Sequence, residues 1–489
     1  MRHARNAELP IALDPTSDLP LYLQIARAIV GDIWRGRLRP GDALPGSRTL
    51  ARSLDVHRNT VLAAYTELAV EGWVTSEIAG GTFVAPEPPL TRRATISPAR
   101  ADHPGYALGP ALTQDRPPIY RPGVFLLARG LPDVRLLPIR QMSRAYTRVL
   151  AQWGRELLTY GDPQGHLRLR RAIASMLAAA RGIVTEPDTV LITRGSQMAL
   201  DLAARALLSP GDLVAVEMLG QRATWNAFRQ AGAVLAPIEV DAEGLCVDAL
   251  VARRRPIRAV YVTPHNQFPT TVVMSPARRA ALLAYAADRG VAIIEDDYDH
   301  EFRYDGRPLL PLASQDSAGV VVYIGTLSKI LAPGLRIGFV VAPRAVIDRM
   351  TSLRITGDYQ GDLAIECAVA ELFETGEIGR HVRRMLRAYR ARRDALVAAL
   401  RRELSATVEV DVPSGGMALW ARVADDIDVD EWSHRALSLG VSFRSGRPYH
   451  FTGESVPFAR LGFSFHNEEE LAEAVQLMAR ALPPPHPSR

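Results

Sequence analysis

The chain has 489 residues, which is more than one ordinary domain contains, so we expect two or more domains. Hydrophobic residues make up 47% of it and charged residues 23%, and we find no signal peptide and no apolar run near the ~20 residues that span a bilayer, which predicts a soluble, cytoplasmic protein without membrane contact. The two cysteines are too few for a disulfide or metal framework, and the net charge of +5 does not by itself indicate a polyanionic partner.

The first 85 residues contain the elements of a winged helix-turn-helix. Helical spacing of apolar residues, together with turn signals, predicts three helices, over Leu19–Arg35, Ser47–Leu54 and Arg58–Glu71. Two short strands follow, Trp73–Thr75 and Thr82–Val84, joined by a Gly80-Gly81 turn. We therefore predict a DNA-binding domain at 1–85.

The start of the third helix would point into the major groove of double-stranded DNA. Arg58, which follows His57, suits guanine edges and Asn59 suits adenine, whereas Thr60 and Arg48 suit phosphates. Taken singly, Arg58 and Asn59 are better explained as solvated polar residues at the start of a surface helix. The ordered pattern as a whole favours DNA binding.

This stretch resembles the winged helix of the GntR type. Four motifs carry the resemblance: RLRPGDALP at 37–45, SRTLA at 47–51, RNTV at 58–61 and GTFV at 81–84. The resemblance implies a DNA contact at Gly81 in the wing. His57 departs from the family, which usually has a small hydroxyl residue there, and DNA affinity would depend on pH if His57 contacts DNA.

Residues 86–117 are rich in proline, alanine and arginine and lack periodicity, which predicts a linker. In 118–489 short apolar runs alternate with helical segments, which predicts an α/β domain with a mostly parallel sheet. Its candidate strands are Val190–Thr193, Leu213–Glu217, Val234–Val240, Ala259–Thr263, Val291–Asp296, Val320–Gly325 and Ile337–Ala342. A long basic helix, Ile378–Leu404, leads to a smaller α+β part, so we divide this domain into a large part of about 145–375 and a small part of about 376–489.

Lys329 is the only lysine in the chain. Arginine cannot replace lysine where a neutral amine must attack a carbonyl, so a lone lysine suits a Schiff base with an aldehyde cofactor such as pyridoxal 5′-phosphate (PLP). A genome that exchanged lysine for arginine would also leave one behind by chance. Its position after a buried strand favours the chemical interpretation, because partial desolvation lowers the pKa of an amine.

Candidate phosphate ligands follow other strands at the same edge of the predicted sheet, where ligands bind in such folds. Ser196 and Gln197 lie between a strand and a helix, so Ser196 and neighbouring backbone amides could hold a phosphate. Ser328 and Arg336 flank Lys329 and could complete the phosphate site.

Asp296 and Tyr298 end a strongly apolar strand. A carboxylate there can keep a pyridine nitrogen protonated, and a nearby phenol can bond the ring hydroxyl of PLP. Acids at a strand end also bind metals, but no His/Asp/Glu cluster of ligand spacing accompanies these two, so we predict no metal site.

From about Tyr160 to Phe465 the chain resembles fold type I aminotransferases. The resemblance rests on four motifs in the usual order: YGDPQG at 160–165, RGSQ at 194–197, DDY at 296–298 and SK at 328–329. With a GntR-type domain before it, the whole chain is similar to the MocR/GabR subfamily of bacterial transcription regulators.

This resemblance implies roles for individual residues. Lys329 would form the Schiff base, Asp296 would pair with the pyridine nitrogen, and Tyr298 would contact the ring hydroxyl. Ser196, Ser328 and Arg336 would hold the phosphate. Tyr160 would reach a neighbouring subunit's site, and Arg460 would bind the α-carboxylate of a ligand.

Two positions depart from the subfamily. Gln221 stands where a tyrosine usually stacks on the cofactor ring, and Trp225 is a nearby aromatic residue that could compensate. The usual His-Gln-x-Pro is Asn266-Gln267-Phe268-Pro269 here, although Asn266 resembles the asparagine with which true aminotransferases bond the ring hydroxyl.

We therefore predict a homodimeric transcription regulator, associated with the bacterial nucleoid, that binds operator DNA and PLP and senses the cofactor or a small amine or amino-acid effector. An active aminotransferase with an accessory DNA-binding domain is one alternative, and the winged helix argues against it. A DNA-binding protein that uses its large domain only to dimerise is another, and Lys329 with Asp296 and Tyr298 argues against it.

Overall fold

The computed structural model describes residues 9–14, 16–17, 19–77, 81–89, 103–108, 122–306 and 309–484. The chain divides into two compact units, Met1–Pro110 and Ala111–Arg489. Gly80 of the predicted turn and most of the predicted linker lie outside the described residues. The described pieces of the linker, 86–89 and 103–108, contain no helix or strand. No helix in the described ranges has the length and apolarity that crossing a bilayer requires.

The N-terminal unit has the predicted winged helix-turn-helix order. Its elements are α1 (Leu21–Trp34), α2 (Ser47–Ser53), α3 (Arg58–Val70), β1 (Val74–Glu77) and β2 (Gly81–Val84). The two strands pair antiparallel, and side chains such as Ile29, Val61 and Leu68 are fully buried among the helices. β1 begins one residue later than predicted, because the Trp73 amide donates to the Leu68 carbonyl at 2.8 Å and closes the end of α3.

The large part of the C-terminal unit is built on a seven-stranded sheet of order β4-β12-β11-β10-β9-β5-β6. Its strands are β4 (Val190–Thr193), β5 (Leu213–Glu217), β6 (Val234–Ile238), β9 (Ala259–Val262), β10 (Ala292–Asp297), β11 (Val321–Thr326) and β12 (Gly338–Val341). All neighbouring pairs are parallel except those of β12, which runs antiparallel to both β11 and β4. The predicted strand Val234–Val240 is two strands, because β7 (Val240–Asp241) leaves the sheet to pair with β8 (Gly244–Leu245).

Both faces of this sheet are covered by helices. Alternate residues of one strand enter different apolar cores: Ile293 packs in one core and Ile294 in the other. The helices are α4 (Ile139–Leu157), α5 (Leu167–Arg181), α6 (Ser196–Leu207), α7 (Arg222–Gln230), α8 (Val247–Val251), α9 (Pro276–Arg289), α10 (Arg344–Gly357) and α11 (Leu363–Glu374). Burial on both faces explains the nearly continuous apolar strands in the sequence.

The small part follows the long helix α12 (Glu377–Glu403) and has a third core. Its elements are β13 (Val408–Glu409), β14 (Ala418–Val423), α13 (Val429–Ser438), β15 (Val441–Ser442), β16 (Arg444–Ser445), β17 (Phe458–Gly462) and α14 (Glu468–Arg480). A four-stranded sheet has the order β13-β14-β17-β16. The early strand β3 (Phe125–Leu126) pairs with β15, so a segment from before the large part completes the small one.

Candidate functional site

A cavity of about 390 Å³ opens where β9, β10 and β11 end. Nearly all of the side chains predicted to bind a cofactor or effector line it, although they come from positions as far apart as 196 and 460. Those that line it are Ser196, Gln197, Gln221, Asp296, Tyr298, Ser328, Lys329, Arg336 and Arg460. Asn266 and Tyr160 are the predicted residues that do not.

Lys329 lies three residues beyond the end of β11, as the sequence predicted. Its Nζ donates to the carbonyl of Gly130 at 2.7 Å. Burial, reinforced by the positive charge of Arg460, lowers the pKa of Lys329 to about 8. A larger fraction of this amine is therefore neutral and nucleophilic near pH 7 than of an ordinary lysine.

Asp296 stands near the end of β10 and has one unsatisfied oxygen. Its Oδ2 accepts a hydrogen bond from the Tyr261 hydroxyl at 3.0 Å, whereas Oδ1 is buried without a partner among the described residues. Burial raises the pKa of Asp296 to about 7. A protonated ring nitrogen would satisfy Oδ1 and stabilise the carboxylate, so this residue fits the pyridine end of PLP.

An anion site is formed where α6 begins. Ser196 is the first residue of this helix, preceded by Gly195 with φ of +81°, so the free backbone amides of the first turn and a hydroxyl are available together. Arg336 packs against this turn, and its Nη2 donates to the Arg194 carbonyl at 2.7 Å. A Cβ on Gly195 would lie 2.8 Å from that same Nη2, so only glycine allows the guanidinium to approach so closely.

Ser328 completes the anion site from the strand side. Its amide donates to Thr326 Oγ1 at 3.1 Å, and the two hydroxyls lie 3.0 Å apart. Gln197 is held differently, since its Nε2 donates to the Ala223 carbonyl at 3.0 Å. Two hydroxyls, a guanidinium and a helix N-terminus fit the phosphate of PLP.

Asn266 makes two hydrogen bonds to residues that line the cavity. Its Nδ2 donates to Asp299 Oδ1 at 2.8 Å, and its carbonyl accepts from the Tyr298 hydroxyl at 2.9 Å. Asp299, which the sequence analysis did not select, lines the cavity instead. Because its amide is engaged by Asp299, Asn266 holds Tyr298 and Asp299 in position and lies behind them.

Gln221 is exposed at the edge of the cavity, directly before α7. Trp225 does not compensate for the missing tyrosine, because it is only 1% exposed, lies beneath Gly220 and packs edge-on against Phe451 at 5.1 Å. Phe268 does line the cavity, as do the aromatic residues Tyr261, Tyr298 and Tyr449. The position of Phe268 in the NQFP motif was visible in the sequence, but not its orientation.

Arg460 lies on β17 and is 5% exposed. Its guanidinium lies 4.5 Å from the centre of the Phe268 ring, and its Nε is buried without a hydrogen-bond partner among the described residues. Arg444 on β16 is directly opposite in the strand register and also lines the cavity. Like charges opposite one another repel, so this end of the cavity favours an anion.

Tyr160 is on the surface of the C-terminal unit. It is 83% exposed and makes an edge-to-face contact with Tyr359 at 5.0 Å. It is thus outside the cavity of its own chain.

Three of the predicted DNA-contacting residues, His57, Arg58 and Asn59, are exposed at the start of α3. His57 is the N-cap, since its Nδ1 accepts from the Asn59 amide at 3.2 Å. Arg58 Nε donates to Ser47 Oγ at 3.3 Å, which links the starts of α3 and α2. Arg48 is exposed and Thr60 is partly buried.

Gly81, the remaining predicted DNA contact, is an exposed residue at the start of β2. Its φ of +103° lies in the left-handed region that favours glycine.

One cluster of possible metal ligands was not anticipated from the sequence. His265, Asp297 and His300 lie behind the cavity with their ligand atoms within 4.8 Å of one another. The spacing of Asp297 and His300 just after a strand was a weak signal, but His265 is too distant in sequence to associate with them.

Two family models match the chain: the bacterial regulatory proteins of the gntR family over residues 21–84, and aminotransferase class I and II over 124–477. The probable rhizopine catabolism regulatory protein MocR of Rhizobium meliloti is 32% identical over 474 residues, covering 96% of both chains. The transcriptional regulator TauR of Rhodobacter capsulatus is 30% identical, covering 96% of this chain and 98% of that one.

Solved structures similar to the C-terminal unit are aminotransferases. LysN of Thermus thermophilus, an α-aminoadipate aminotransferase complexed with N-(5′-phosphopyridoxyl)-L-leucine, superposes with a TM-score of 0.69 at 30% identity, covering 74% of this chain and 92% of that one. The fold, the two family matches and the relatives that share the entire domain order agree. The chain therefore belongs to the aminotransferase class I and II family and, within it, to the MocR/GabR-type transcription regulators, in which a GntR-family DNA-binding domain precedes the aminotransferase domain.

Proposed function

We propose that this protein is a PLP-binding regulator that binds operator DNA and changes its DNA binding when an amino compound enters the cavity. One observation carries the proposal: the same chain contains an exposed recognition helix and a cavity lined by Lys329, its only lysine. That cavity also contains the unsatisfied oxygen of Asp296 and the anion site of Ser196 and Arg336. The proposal includes the domain limits: 1–85 for the DNA-binding domain, 86–117 for the linker and 118–489 for the PLP-binding domain.

PLP supplies an aldehyde that an amine can capture and a pyridinium ring that accepts negative charge. Lys329 would hold it covalently, Asp296 would keep the ring nitrogen protonated, and Tyr298 would face the ring hydroxyl. Ser196, Ser328 and Arg336 would bind the phosphate through hydroxyls and a bidentate guanidinium. The low pKa of Lys329 supports the first of these roles.

The effector would be a small amine that carries a carboxylate. Arg460 is buried and lines the cavity, and its Nε has no hydrogen-bond partner among the described residues. Together with nearby Arg444, it makes this part of the cavity strongly positive. A carboxylate bound there would place the amine of the same molecule toward Lys329. Displacement of Lys329 by that amine would change the contacts between the large and small parts of the C-terminal unit.

A homodimer would complete the site. Tyr160 is 83% exposed and lies outside the cavity of its own chain, which suits a side chain that reaches a neighbouring subunit. Two DNA-binding domains in one dimer would recognise two half-sites. We therefore infer a bipartite operator.

An active aminotransferase is the second candidate, because Lys329, Asp296 and Arg460 provide the groups that transamination requires. The relatives include the 2-aminoadipate transaminase of Thermus thermophilus, 32% identical over 74% of this chain. That activity would not need a DNA-binding domain.

The two functions are separated by measuring DNA binding and turnover on the same PLP-loaded protein. Fluorescence anisotropy with the DNA upstream of its own gene and of adjacent genes, in the presence of a panel of amino acids, should reveal an effector that changes affinity. Sustained transamination at ordinary enzyme rates of about 1–10³ per second, with DNA affinity indifferent to every substrate, would favour the enzyme.

A further inference from the structure

A buried cluster of two histidines and one aspartate lies behind the proposed PLP site. His265 follows β9 by three residues, whereas Asp297 ends β10 and His300 follows it. Their side chains are 6%, 0% and 9% exposed, and the two imidazole rings are 4.3 Å apart. None of these residues has a role in PLP or effector binding.

The hydrogen bonds around the cluster fix the state of His265. Its Nε2 lies 2.8 Å from the Leu309 carbonyl, which can only accept, so Nε2 must carry the hydrogen. With the hydrogen on Nε2, the Nδ1 of the neutral ring has a free lone pair. That lone pair lies 3.8 Å from Asp297 Oδ1, which is itself an acceptor.

Two buried acceptors therefore face each other without a donor between them. His265 Nδ1 and Asp297 Oδ1 lack a hydrogen-bond partner among the described residues. His300 Nδ1 lies 2.9 Å from Asp297 Oδ2, close enough to donate to it, and would lose that hydrogen when it binds a metal. Leaving such acceptors dehydrated and unpaired has a free-energy cost. A cation bound by all three would remove that cost.

We propose that His265 Nδ1, Asp297 and His300 Nδ1 bind a divalent transition-metal ion of the zinc class. Two imidazole nitrogens and one carboxylate oxygen suit such ions, whereas magnesium and calcium prefer oxygen ligands alone. Metal–ligand bonds of about 2.1 Å in tetrahedral geometry place two ligand atoms about 3.4 Å apart. The separations from His300 Nδ1 to Asp297 Oδ2, 2.9 Å, and from His265 Nδ1 to Asp297 Oδ1, 3.8 Å, lie on either side of this value.

Groups outside the cluster would hold the ligands in orientation. The Leu309 carbonyl fixes His265 through Nε2, and the Tyr323 hydroxyl donates to Asp297 Oδ2 at 2.6 Å. Such outer contacts are the usual support of histidine and carboxylate ligands.

The positive charge of buried Arg181 would repel a metal ion bound by this cluster. Its Nη1 lies 3.8 Å from Asp297 Oδ2, but its Nη2 forms a salt bridge with Glu301. Because Glu301 balances the guanidinium, the charge of Asp297 remains available to the metal.

The metal would brace the two segments that form the ring end of the cavity. Asp297 lies between Asp296 and Tyr298 in sequence, and His265 precedes Asn266, whose carbonyl accepts from Tyr298. Bound metal would thus join the loop after β9 to the end of β10. We expect it to raise the thermal stability of the protein.

Metal binding can be measured on full-length, untagged protein without PLP or DNA, so its outcome is independent of the proposed regulatory function. After chelator treatment and gel filtration, Zn²⁺ should be retained at about one ion per chain and raise the unfolding temperature. His265→Ala should lower the affinity at least tenfold, whereas His434→Ala, at an exposed histidine of α13, should not change it.

Co²⁺ gives a second measurement that does not depend on a variant that folds. Wild-type protein loaded with Co²⁺ should show visible absorption bands of a nitrogen- and oxygen-ligated site, and Zn²⁺ should abolish them. Wild-type protein that retains no Zn²⁺ and shows no such bands would overturn the proposal. Retention by a folded His265→Ala variant with unchanged affinity would do so as well.

Discussion

The Tyr261 hydroxyl donates to Oδ2 of Asp296 at 3.0 Å, and the other oxygen of this carboxyl, Oδ1, is buried at the cavity without a described partner. Tyr261 lies on β9 and Asp296 on the adjacent parallel strand β10. This pair fixes the orientation of the carboxyl before any ligand arrives. Oδ1 is thereby positioned to accept one further donor.

Removal of the Asp296 charge should weaken PLP binding. Hydrogen bonds to charged groups contribute about 1.5–3 kcal/mol, so Asp296→Asn should raise the dissociation constant of PLP by about ten- to hundredfold. This dissociation constant is measured by titrating the protein with PLP and following the near-visible absorption of lysine-bound PLP. The matched variant Tyr261→Phe retains the carboxylate and should have the smaller effect; equal affinities for wild type and Asp296→Asn would contradict the assignment of Asp296.

The same carboxyl should make the stability of the PLP-free protein depend on pH. Burial raises the pKa of Asp296 from 3.8 to about 7, so between these values the folded state keeps a proton that the unfolded state has lost. Its contribution to stability is therefore lost as pH rises from about 4 to about 7, by at most about 1.4 kcal/mol per pH unit.

Asp296→Asn removes this contribution. Urea unfolding at several pH values should show the variant gaining stability relative to wild type up to about pH 7 and levelling off above it. Asp426→Asn, at an exposed position, should give a difference that does not change with pH. A pH-independent difference for Asp296→Asn would show that this carboxyl is not desolvated.

Lys329→Ala should abolish covalent PLP binding, because the chain has no second lysine. Wild-type protein should show the absorption band of lysine-bound PLP, and borohydride followed by peptide mass spectrometry should find the label on Lys329. Lys329→Arg preserves the positive charge and is the matched control for electrostatic effects on the phosphate; it should also lack the band. A normal band in either variant would refute the role of Lys329.

Much of the site was predictable because its residues are local to strand ends. Lys329 after β11, Asp296 in β10 and Ser196 at the start of α6 each stand next to a strand that the apolar pattern identified. In an open α/β sheet such ends converge, so their meeting in one cavity followed from the fold class.

The remaining features depend on orientation and long-range contact. The antiparallel direction of β12 leaves no signal in a strand buried on both faces. The choice between Asn266 and Phe268 as the cavity residue depends on how one loop turns, and the sequence pattern contains both. The approach of His265 to Asp297 requires two strands to be paired first.

Gln221→Tyr should strengthen PLP binding. An aromatic ring at this exposed position on the cavity edge would offer a stacking surface that contributes about 0.5–1.5 kcal/mol, or up to roughly tenfold in affinity. PLP titration compares it with Gln230→Tyr, an exposed position at the end of α7, which should have no effect. Unchanged affinity in Gln221→Tyr would mean that Phe268 already packs on the ring of PLP.

Two arginines of the winged helix should affect DNA binding in different ways. Arg58→Ala should cost about 1–3 kcal/mol on the operator and relax the base preference, because it removes a base-edge contact. Arg48→Ala should weaken binding to all sequences alike and reduce its salt dependence. Ser47→Ala, which removes only the 3.3 Å contact to Arg58 Nε, tests whether that contact positions the guanidinium. Equal losses of Arg58→Ala on operator and random DNA would exclude base readout.

Arg460→Ala should abolish the response to amino acids while leaving PLP binding intact. Its guanidinium lies 4.5 Å from the Phe268 ring, and it is not one of the residues assigned to the phosphate, so its loss removes a carboxylate partner and no phosphate partner. Truncating one member of a buried charge pair costs about 2–5 kcal/mol, so the effector should bind at least about thirtyfold more weakly.

An amine of the same skeleton without the carboxylate is the matched ligand, and it should bind wild type and variant equally. Operator affinity, measured with each ligand, should shift only for wild type with the carboxylated compound. A ligand can shift an equilibrium between two states only by its differential affinity for them. An effector response that survives in Arg460→Ala would therefore place the carboxylate elsewhere in the cavity.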